Sequence, residues 1–309
     1  MKQVTNNIMM IEPVLFNYNT ETAINNYYQS TIVGMSSSQV QERALQEFNA
    51  FVDFLRSRSI NVFVFQDTCD PKTPDSVFPN NWISFHSNGN IFLYPMFAAN
   101  RRLERRDDLI TALEKDFEIS KINSLVHYEN EELFLEGTGS MVFDRDNKIC
   151  YAARSFRTEE SVVLDLCSKL DYTPILFNAF QNVNQNRLPI YHTNVMMCIA
   201  TDYAVVCLDA IDDSDERNRV ISSLNRTNKE IIEISENQTS KFAGNMLQLM
   251  GDKLYLVMSK SAFSSLNAKQ IKMIRKYNEI LSVNIETIEK CGGGSARCMM
   301  AEIFLPLRR

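Results

Sequence analysis

The feature that most constrains this chain is a segment that recurs five times. Each copy has a short polar stretch, an apolar strand and a tight turn, and four copies add a second strand. The polar stretches hold Asn81, Gly139, Asn194, Asn245 and Cys298, which are separated by 58, 55, 51 and 53 residues. A near-constant step of this size is typical of stacked or circularly arranged supersecondary units. We therefore predict five similar units.

Between the hairpins, helical and strand patterns alternate. Apolar spacing predicts helices at 103–117, 159–170, 215–224 and 267–277, followed by strands at 122–126, 174–177, 230–234 and 283–288. The fifth copy lacks these partners, and residues 8–16, 40–55 and 60–65 supply a strand, a helix and a strand. The two ends can thus complete one unit and close a ring, which removes exposed sheet edges. We expect one catalytic α/β domain over residues 1–309; the alternative is a mixed α/β protein whose hairpins are evenly spaced by chance.

Charge and hydropathy exclude several functions. The net charge is −6, whereas binding to nucleic acid needs clustered lysine and arginine. The densest basic cluster, 101–106, contains Glu104 and is predicted to be a solvated helix face. No run of about eighteen apolar residues predicts a membrane span, and the N-terminus lacks the apolar core of a signal peptide. We expect a cytoplasmic protein with neither a nucleic-acid nor a membrane partner.

Cysteine and histidine usage argues against a metal centre. The chain has seven cysteines, no Cys-x-x-Cys pair and three histidines, so zinc-ligand spacing is missing and reduced thiols are expected. No glycine-rich dinucleotide or phosphate loop follows a predicted strand. The sequence therefore predicts neither a metal nor a cofactor.

The polar stretches place reactive side chains at equivalent positions of the repeat. In a closed ring these positions face one space, so Cys298, His192 and Glu136 are predicted to meet. A thiolate is a strong nucleophile, and the glycines at 292–294 allow close backbone approach or positive φ. His192 can protonate a leaving nitrogen and then activate water, while Glu136 accepts the other imidazole N–H. The alternatives are a small buried hydrophobe for Cys298 and an ordinary exposed acid for Glu136.

The remaining cysteines and histidines are predicted to have no catalytic role. Four cysteines lie on apolar strands or a helix and are expected to be buried: Cys150, Cys167, Cys198 and Cys207. Cys69 and Cys291 lie in loop-like stretches and are left undecided. His86 is at a hairpin turn and is predicted to be exposed, and His127 is predicted to be structural.

With these motifs in place, the sequence resembles the pentein superfamily of five-bladed α/β propellers, which includes arginine deiminases, dimethylarginine dimethylaminohydrolases, succinylarginine dihydrolases and glycine amidinotransferases. Gly-Gly-Gly-Ser-Ala-Arg-Cys-Met at 292–299 resembles the deiminase nucleophile loop. Leu135-Glu136-Gly137 resembles the acidic signature, and His192-Thr193-Asn194 resembles the His-x-Asp signature. The resemblance spans nearly the whole chain and is strongest to the bacterial amidinotransferase-related, citrulline-utilisation hydrolases.

Three further segments carry the resemblance into the substrate site. Pro74-Asp75-Ser76-Val77-Phe78 is similar to a dimethylaminohydrolase segment that carries substrate-binding acids. The segments around Arg101 and Arg157 resemble those whose arginines hold the substrate carboxylate. The alternative for both arginines is a surface position.

Three acidic positions of the family pattern are neutral in this chain. Asn80 and Asn81 stand where acids are expected after Phe78, Asn194 replaces the acid of His-x-Asp, and 138–139 is Thr-Gly in place of an acid. A guanidinium buried without an opposing charge is costly, whereas a ureido group is neutral and matches amides that donate and accept. The sequence therefore predicts a ureido substrate such as citrulline. The rival is a guanidino substrate whose charge meets Asp75 or Asp67.

The resemblance implies a cysteine-dependent hydrolase that cleaves a C–N bond of a small ureido or guanidino amino acid through a covalent intermediate on Cys298. Predicted substrate contacts are Asp75, Asn80, Asn81, Arg101, Arg157, Asn194, Asn245 and Arg297. Two other functions stay open: amidino transfer to an acceptor amine, and binding without catalysis. The expected partner is a small-molecule amino acid, and the oligomeric state is undecided, with a homodimer as one option.

Overall fold

The computed structural model describes residues 2–308, which form two compact units. The terminal unit consists of Thr5–Gly137, Ile285–Gly294 and 298–308. The central unit consists of 2–4, Thr138–Asn284 and Ser295–Arg297. The single domain expected over the whole chain stays a prediction.

Within the described residues the chain forms seventeen strands and ten α-helices. The strands are β1 (Asn7–Glu12), β2 (Asn61–Gln66), β3 (Ile83–Phe85), β4 (Asn90–Leu93), β5 (Lys121–Ser124), β6 (Met141–Asp144), β7 (Ile149–Arg154), β8 (Thr173–Asn178), β9 (Phe180–Val183), β10 (Asn186–Pro189), β11 (Met197–Ile199), β12 (Tyr203–Val206), β13 (Glu230–Glu233), β14 (Leu247–Met250), β15 (Leu254–Ser259), β16 (Glu279–Val283) and β17 (Ala301–Glu302). The helices are α1 (Ser37–Arg56), α2 (Ala99–Arg102), α3 (Asp107–Leu113), α4 (Gly137–Ser140), α5 (Glu160–Leu170), α6 (Ser214–Arg226), α7 (Glu236–Thr239), α8 (Lys260–Ser265), α9 (Ala268–Arg275) and α10 (Glu286–Gly292).

The terminal unit contains two three-stranded sheets of the same topology, β17-β1-β2 and β3-β4-β5. In each sheet the first two strands are antiparallel, and the third runs parallel to the middle one. The sheet β17-β1-β2 joins Met9 to Ala301 in register, so strands from both ends of the chain complete it. This confirms the prediction that the two ends supply one unit of the repeat.

The central unit repeats this topology in three sheets, β6-β7-β8, β11-β12-β13 and β14-β15-β16. It also holds an additional hairpin, β9-β10, which the sequence pattern did not predict. Parallel strands need a long crossover, and in each sheet helices occupy the connection between the second and third strands. The predicted repeat therefore exists as five sheets of one topology in the described residues, and their arrangement as a propeller stays a prediction.

Helix α1 shows how the sequence sets one of these crossovers. Ser36 caps the helix by accepting from the Gln39 backbone N–H, and Gln39 reaches back to the Ser36 N–H in a capping box. One face is buried at Val40, Ala44, Phe48, Phe51, Val52 and Leu55. This three- and four-residue spacing places apolar side chains on one stripe, which explains why α1 was predictable.

The core of the terminal unit joins segments that are distant in sequence. Met9 of β1, Trp82, Phe85 of β3, Leu109 of α3 and Ile303 belong to one buried cluster. Because this cluster lies directly beside the polar stretch 79–81, apolar packing fixes the backbone on which the candidate site is built.

One predicted element is shorter than expected, and one is wrong. The helix expected over 103–117 is present as α3 (Asp107–Leu113), whereas the strand expected over 283–288 is instead the end of β16 followed by α10. Helix α10 depends on a distant cap, because the Glu47 carboxylate accepts from the Thr287 and Ile288 backbone N–H groups at 2.9 and 3.1 Å. Burial raises the pKa of Glu47, against these hydrogen bonds. Such a cap leaves no local sequence signal.

Several single-residue predictions can also be judged. The four cysteines expected to be buried are buried, Cys69 is exposed, and Cys291 is buried on α10. His86 is buried rather than exposed, because its Nε2 lies 2.9 Å from the hydroxyl of Ser84, which also lies 2.6 Å from the hydroxyl of Tyr94. None of the helices in residues 2–308 has the length and apolar character to cross a bilayer.

Candidate active site

The polar stretches of the second to fifth copies contact one another in sequence order within the central unit. The Thr193 hydroxyl donates to the Ser140 carbonyl at 2.6 Å, which joins the second copy to the third. The Asn245 side chain connects the third copy to the fourth and the fourth to the fifth. Its Nδ2 donates to the Asn194 carbonyl at 3.1 Å, and its Oδ1 accepts from the Arg297 backbone N–H at 3.0 Å. Asn245 therefore positions its neighbours, and its predicted substrate contact stays a prediction.

In the terminal unit, Gly137 makes the corresponding junction between the first and second copies. Its φ is +45°, and a Cβ at this position would lie 2.3 Å from the Asn80 carbonyl oxygen and 2.9 Å from that of Asn81. A backbone oxygen cannot move aside as a side-chain tip can, so only glycine fits. This contact holds Glu136, the neighbour of Gly137, beside the stretch that carries Asn80 and Asn81.

Replacing Gly137 by alanine is expected to destabilise the protein by about 2–4 kcal/mol, because it combines a steric clash with a strained backbone. Gly34 provides a matched control, since its φ is +83° and a Cβ there meets no atom within 4 Å. Gly34→Ala should cost only about 1 kcal/mol of backbone strain. Urea denaturation of both variants measures the difference, and equal losses would show that the contact with 80–81 contributes nothing.

Cys298 follows the glycine-rich turn that ends α10 and is 3% exposed. A Cβ on Gly292 or Gly294 would lie 2.7 or 2.9 Å from the Phe78 ring, and a Cβ on Gly294 would also lie 3.3 Å from Cβ of Cys298. Gly293 has φ +63° and ends the helix. The close approach expected of the glycine run is therefore present, and its partner is Phe78 of the predicted substrate segment.

The loop before α1 contacts both this segment and the nucleophile turn. Asp75 is buried, and its Oδ2 accepts from Asn19 Nδ2 at 2.8 Å and from the Thr22 hydroxyl at 3.0 Å. Asn26 Nδ2 donates to the Gly292 and Gly293 carbonyls at 3.4 and 3.3 Å. Sequence reasoning missed these polar residues because they lie outside the repeat.

Arg101 lies in a buried ion pair. Its Nε and Nη2 donate to the two carboxylate oxygens of Glu104 at 2.8 and 2.9 Å, and Nη1 donates to Asn81 Oδ1 at 2.8 Å. Nη2 also donates to the Asp75 and Phe78 carbonyls at 3.3 and 3.1 Å. The solvated helix face predicted for 101–106 is therefore wrong at Arg101 and Glu104, because both side chains neutralise each other in the interior.

Electrostatics around this pair favour a charged arginine. Burial by itself lowers the pKa of Arg101, but the Glu104 carboxylate and the charges of Asp75 and Glu136 raise it above its ordinary value. Burial raises the pKa of Glu104, and the Arg101 guanidinium opposes that rise. Because Nε, Nη1 and Nη2 all have protein partners, the contacts of Arg101 give no support to its predicted role as a clamp for the substrate carboxylate.

Glu136 is fully buried, so the alternative of an ordinary exposed acid is wrong. Its Oε1 accepts from the Phe97 backbone N–H at 3.0 Å. A backbone donor of this kind fixes the position of the carboxylate. The predicted hydrogen bond between Glu136 and an imidazole stays a prediction.

His192, in the central unit, begins the 3-10 turn Thr193–Val195 and is 2% exposed. Its ring centroid lies 4.5 Å from that of Tyr191, and the Arg157 guanidinium carbon lies 5.1 Å from the centre of the same tyrosine ring. Arg157 is 1% exposed, so its surface alternative is wrong. Asn194 is also buried. The central unit thus gathers an imidazole, a guanidinium and an amide among buried aromatic surface.

Each unit therefore collects part of the predicted site. The terminal unit holds Cys298, Glu136, Asp75, Asn80, Asn81 and Arg101, and the central unit holds His192, Asn194, Asn245, Arg157 and Arg297. The meeting of these two sets stays a prediction. Within residues 2–308, no three His, Cys, Asp or Glu side chains form a group that could hold a metal ion.

Most of the chain matches a family of known proteins. Residues 12–305 match the family model described as N,N dimethylarginine dimethylhydrolase, eukaryotic. A search of curated proteins gave no match. Among solved structures, this chain is similar to the N-terminal domain of ArgZ, an arginine dihydrolase from the ornithine-ammonia cycle in cyanobacteria. The TM-score is 0.75 at 20% identity, and the match covers 97% of this chain and 98% of that domain.

Two other structures extend the comparison. AgrE, solved as a cysteine-to-alanine variant with L-arginine, has a TM-score of 0.75 at 19% identity over 98% of this chain. A dimethylarginine dimethylaminohydrolase carrying an S-methyl-L-thiocitrulline adduct has a TM-score of 0.65 at 14% identity over 96% of this chain. The chain spans 40% of AgrE and 41% of full-length ArgZ. At these identities the structures show a shared α/β fold.

Proposed function

The chain belongs to the N,N dimethylarginine dimethylhydrolase family, within the pentein superfamily, and from this premise we propose that it is a cysteine-dependent hydrolase of the guanidino group of a small arginine-derived amino acid. The observation that carries the proposal is the close approach of the glycine turn before Cys298 to Phe78, in a segment that also holds the buried side chains of Asp75, Asn80 and Asn81, together with the burial of Cys298 itself. The solved structures with arginine or a thiocitrulline adduct support the same substrate class.

Cys298 is the nucleophile of the proposed reaction. Its thiolate forms a bond to the central carbon of the guanidino group, and one C–N bond then breaks. The departing nitrogen takes a proton and leaves as ammonia from arginine, or as a methylamine from a methylated arginine. Water adds to the same carbon, the C–S bond breaks, and the thiolate returns while a ureido product is released.

His192 acts as the acid in the step that breaks the C–N bond and as the base in the step in which water attacks. Glu136 orients the imidazole. The imidazole gives its proton to the departing nitrogen and takes one from the attacking water. A carboxylate at the second imidazole nitrogen fixes the tautomer and stabilises the imidazolium. Glu136 is fully buried and His192 is 2% exposed, so both groups are shielded from bulk water.

The amino-acid end of the substrate is assigned to Arg157, with Arg297 and Asn194 as further contacts. A guanidinium forms two parallel hydrogen bonds to a carboxylate, which fixes the substrate as well as binding it. Arg101 is not assigned this role, because its Nε, Nη1 and Nη2 donate to protein oxygens.

Hydrolysis of a ureido substrate is a second candidate, and the side chain of Asn81 favours it. This amide is neutral and stands where the family pattern has an acid. Attack on a ureido carbon releases the amine and leaves a carbamoyl group on sulfur, and water then releases carbamate. The two reactions can occur in sequence at one nucleophile, since the product of the first is the substrate of the second.

A substrate panel read by mass spectrometry tests these proposals. We expect the purified protein to consume arginine or a methylated arginine, and citrulline if the second candidate is right, with a transient adduct on Cys298. Glycine or ornithine added as an acceptor should yield no new guanidino compound. Such a compound would favour amidino transfer, and a chain that consumes none of the substrates would overturn the hydrolase proposal.

A further inference from the structure

A cleft on the central unit lies between α6 and β8. It has a volume of about 610 Å³, which is in the range of small-molecule sites, and Ile175 of β8 is its apolar lining residue. The other lining residues belong to α6 and include Asp215, Arg219, Ser222 and Arg226. Their spacing of four, three and four residues places them on one face of the helix. None of the residues that line the cleft in the described chain was predicted to take part in catalysis or substrate binding.

The cleft is positively charged, although the whole chain has a net charge of −6. Among its lining residues, Asp215 opposes two guanidinium groups with a single carboxylate. The side chain of Arg226 is exposed and has no hydrogen-bond or salt-bridge partner in residues 2–308. Arg219 is exposed as well, and its Nη2 lies 3.4 Å from Glu216 Oε1. One arginine is therefore unpaired, and the other is held by a single long contact.

The carboxylate of Glu216 does not depend on Arg219. Its Oε2 accepts from the Asn178 backbone N–H at 2.6 Å, and its Oε1 accepts from Arg154 Nη1 at 3.1 Å. The Asn178 side-chain amide donates to both oxygens at 3.2 Å. Because Glu216 keeps these donors, and because an exposed ion pair contributes little to stability, Arg219 can turn toward a ligand at small cost.

We propose that this cleft binds a small oxyanion, a carboxylate or a phosphate, through Arg219 and Arg226 with the Ser222 hydroxyl between them. A guanidinium forms two parallel hydrogen bonds to either kind of group, and a serine hydroxyl donates another. The two arginines are separated by about 10 Å along the helix axis, so they approach an anion with several oxygens from two ends. The site goes beyond the proposed function, because it holds a ligand that is not the substrate.

Calorimetric titration with citrate and with inorganic phosphate tests this site. The titrations are made in about 0.15 M chloride, which screens the attraction between exposed charges that are not in contact. We expect the better of the two anions to bind with a Kd of about 1 mM or lower. Tighter binding of citrate assigns the cleft to an organic carboxylate, and tighter binding of phosphate assigns it to a phosphoryl compound. Arg219→Gln and Arg226→Gln should each weaken binding about tenfold, because each removes a charged donor.

Two further substitutions change the charge of the cleft in opposite directions. Asp215→Asn removes the opposing carboxylate and should tighten binding about two- to threefold, since exposed charge pairs interact weakly. Ser222→Asp places a carboxylate between the two arginines and should abolish detectable binding. Both positions are exposed, and the urea midpoint checks that each variant is folded.

Arg275→Gln is the matched control, because Arg275 is an exposed arginine of α9 outside the cleft. It changes the net charge by the same amount as the cleft variants and should leave the Kd unchanged. Equal weakening by Arg275→Gln and by the cleft variants, or binding no tighter than about 10 mM, would overturn the inference. Binding is measured without turnover, so these results leave the hydrolase proposal intact, and a chain that binds the anion but consumes no substrate would overturn only that proposal.

Discussion

Replacing Cys298 by alanine is expected to lower turnover by at least about a thousandfold, because loss of a nucleophile removes the covalent route. Folding should be nearly unchanged, since the thiol occupies little volume at the end of a glycine-rich turn whose packing partner is Phe78. Steady-state kinetics on the substrate that the panel identifies, together with the urea midpoint, separate the two effects.

Thiol labelling provides the control for this prediction. A haloacetamidine should modify Cys298 in the wild-type protein, and substrate should protect it. Cys69 is exposed, and Cys69→Ala should keep full activity and substrate-sensitive labelling. Persistence of turnover in Cys298→Ala would remove the nucleophile from the mechanism, and labelling confined to Cys69 would show that Cys298 is inert.

The parts of the fold that the sequence predicted are those set by local chemistry. The hairpins β3-β4 and β14-β15 follow from tight-turn residues between apolar runs, and α1 follows from a capping box before an apolar stripe. The five repeats give five sheets of one topology because each copy carries the same local signals. The pairing of β17 with β1 was predictable for a different reason, since each end lacked the partner that the other supplies.

The parts that the sequence did not predict depend on distant contacts. The segment 283–288 is apolar enough for a strand, but Glu47 on α1 caps the N-terminus of α10 and favours a helix. Arg101 and Glu104 look like surface charges in sequence, and only the folded chain shows that they neutralise each other beside Asn81. His86 is similar, because its partner Ser84 is joined in turn to Tyr94, whose hydroxyl lies 2.6 Å from that of Ser84.

The same distinction applies to the candidate site. Spacing along the repeat identified Cys298, Glu136 and Asn81, which occur together in the terminal unit, because equivalent positions of equivalent sheets carry the polar stretches. It did not assign their tasks. The absence of three carboxylates from the family pattern was visible in the sequence. The orientation of the Asn81 amide was not, because a hydrogen bond from Arg101 sets it.

Replacing His192 by asparagine is expected to reduce kcat by about a hundredfold to ten-thousandfold, which is the range for loss of a general acid and base. Asparagine keeps a polar side chain of smaller size, so the loss should come from proton transfer rather than from folding. The pH-rate profile should also lose the limb that imidazole ionisation produces. Stopped assays across the pH range, with ammonia as the measured product, follow both effects.

Two further variants separate catalysis from structure. His127 is exposed and its ring lies 4.3 Å from that of Tyr128, so His127→Asn should leave both the rate and the profile unchanged. Glu136→Gln should slow the reaction less than His192→Asn does, and it should add little in the double variant, because an orienting carboxylate acts only through the imidazole. Additive losses would mean that Glu136 and His192 act independently, and Glu136 would then need a role other than orienting the imidazole.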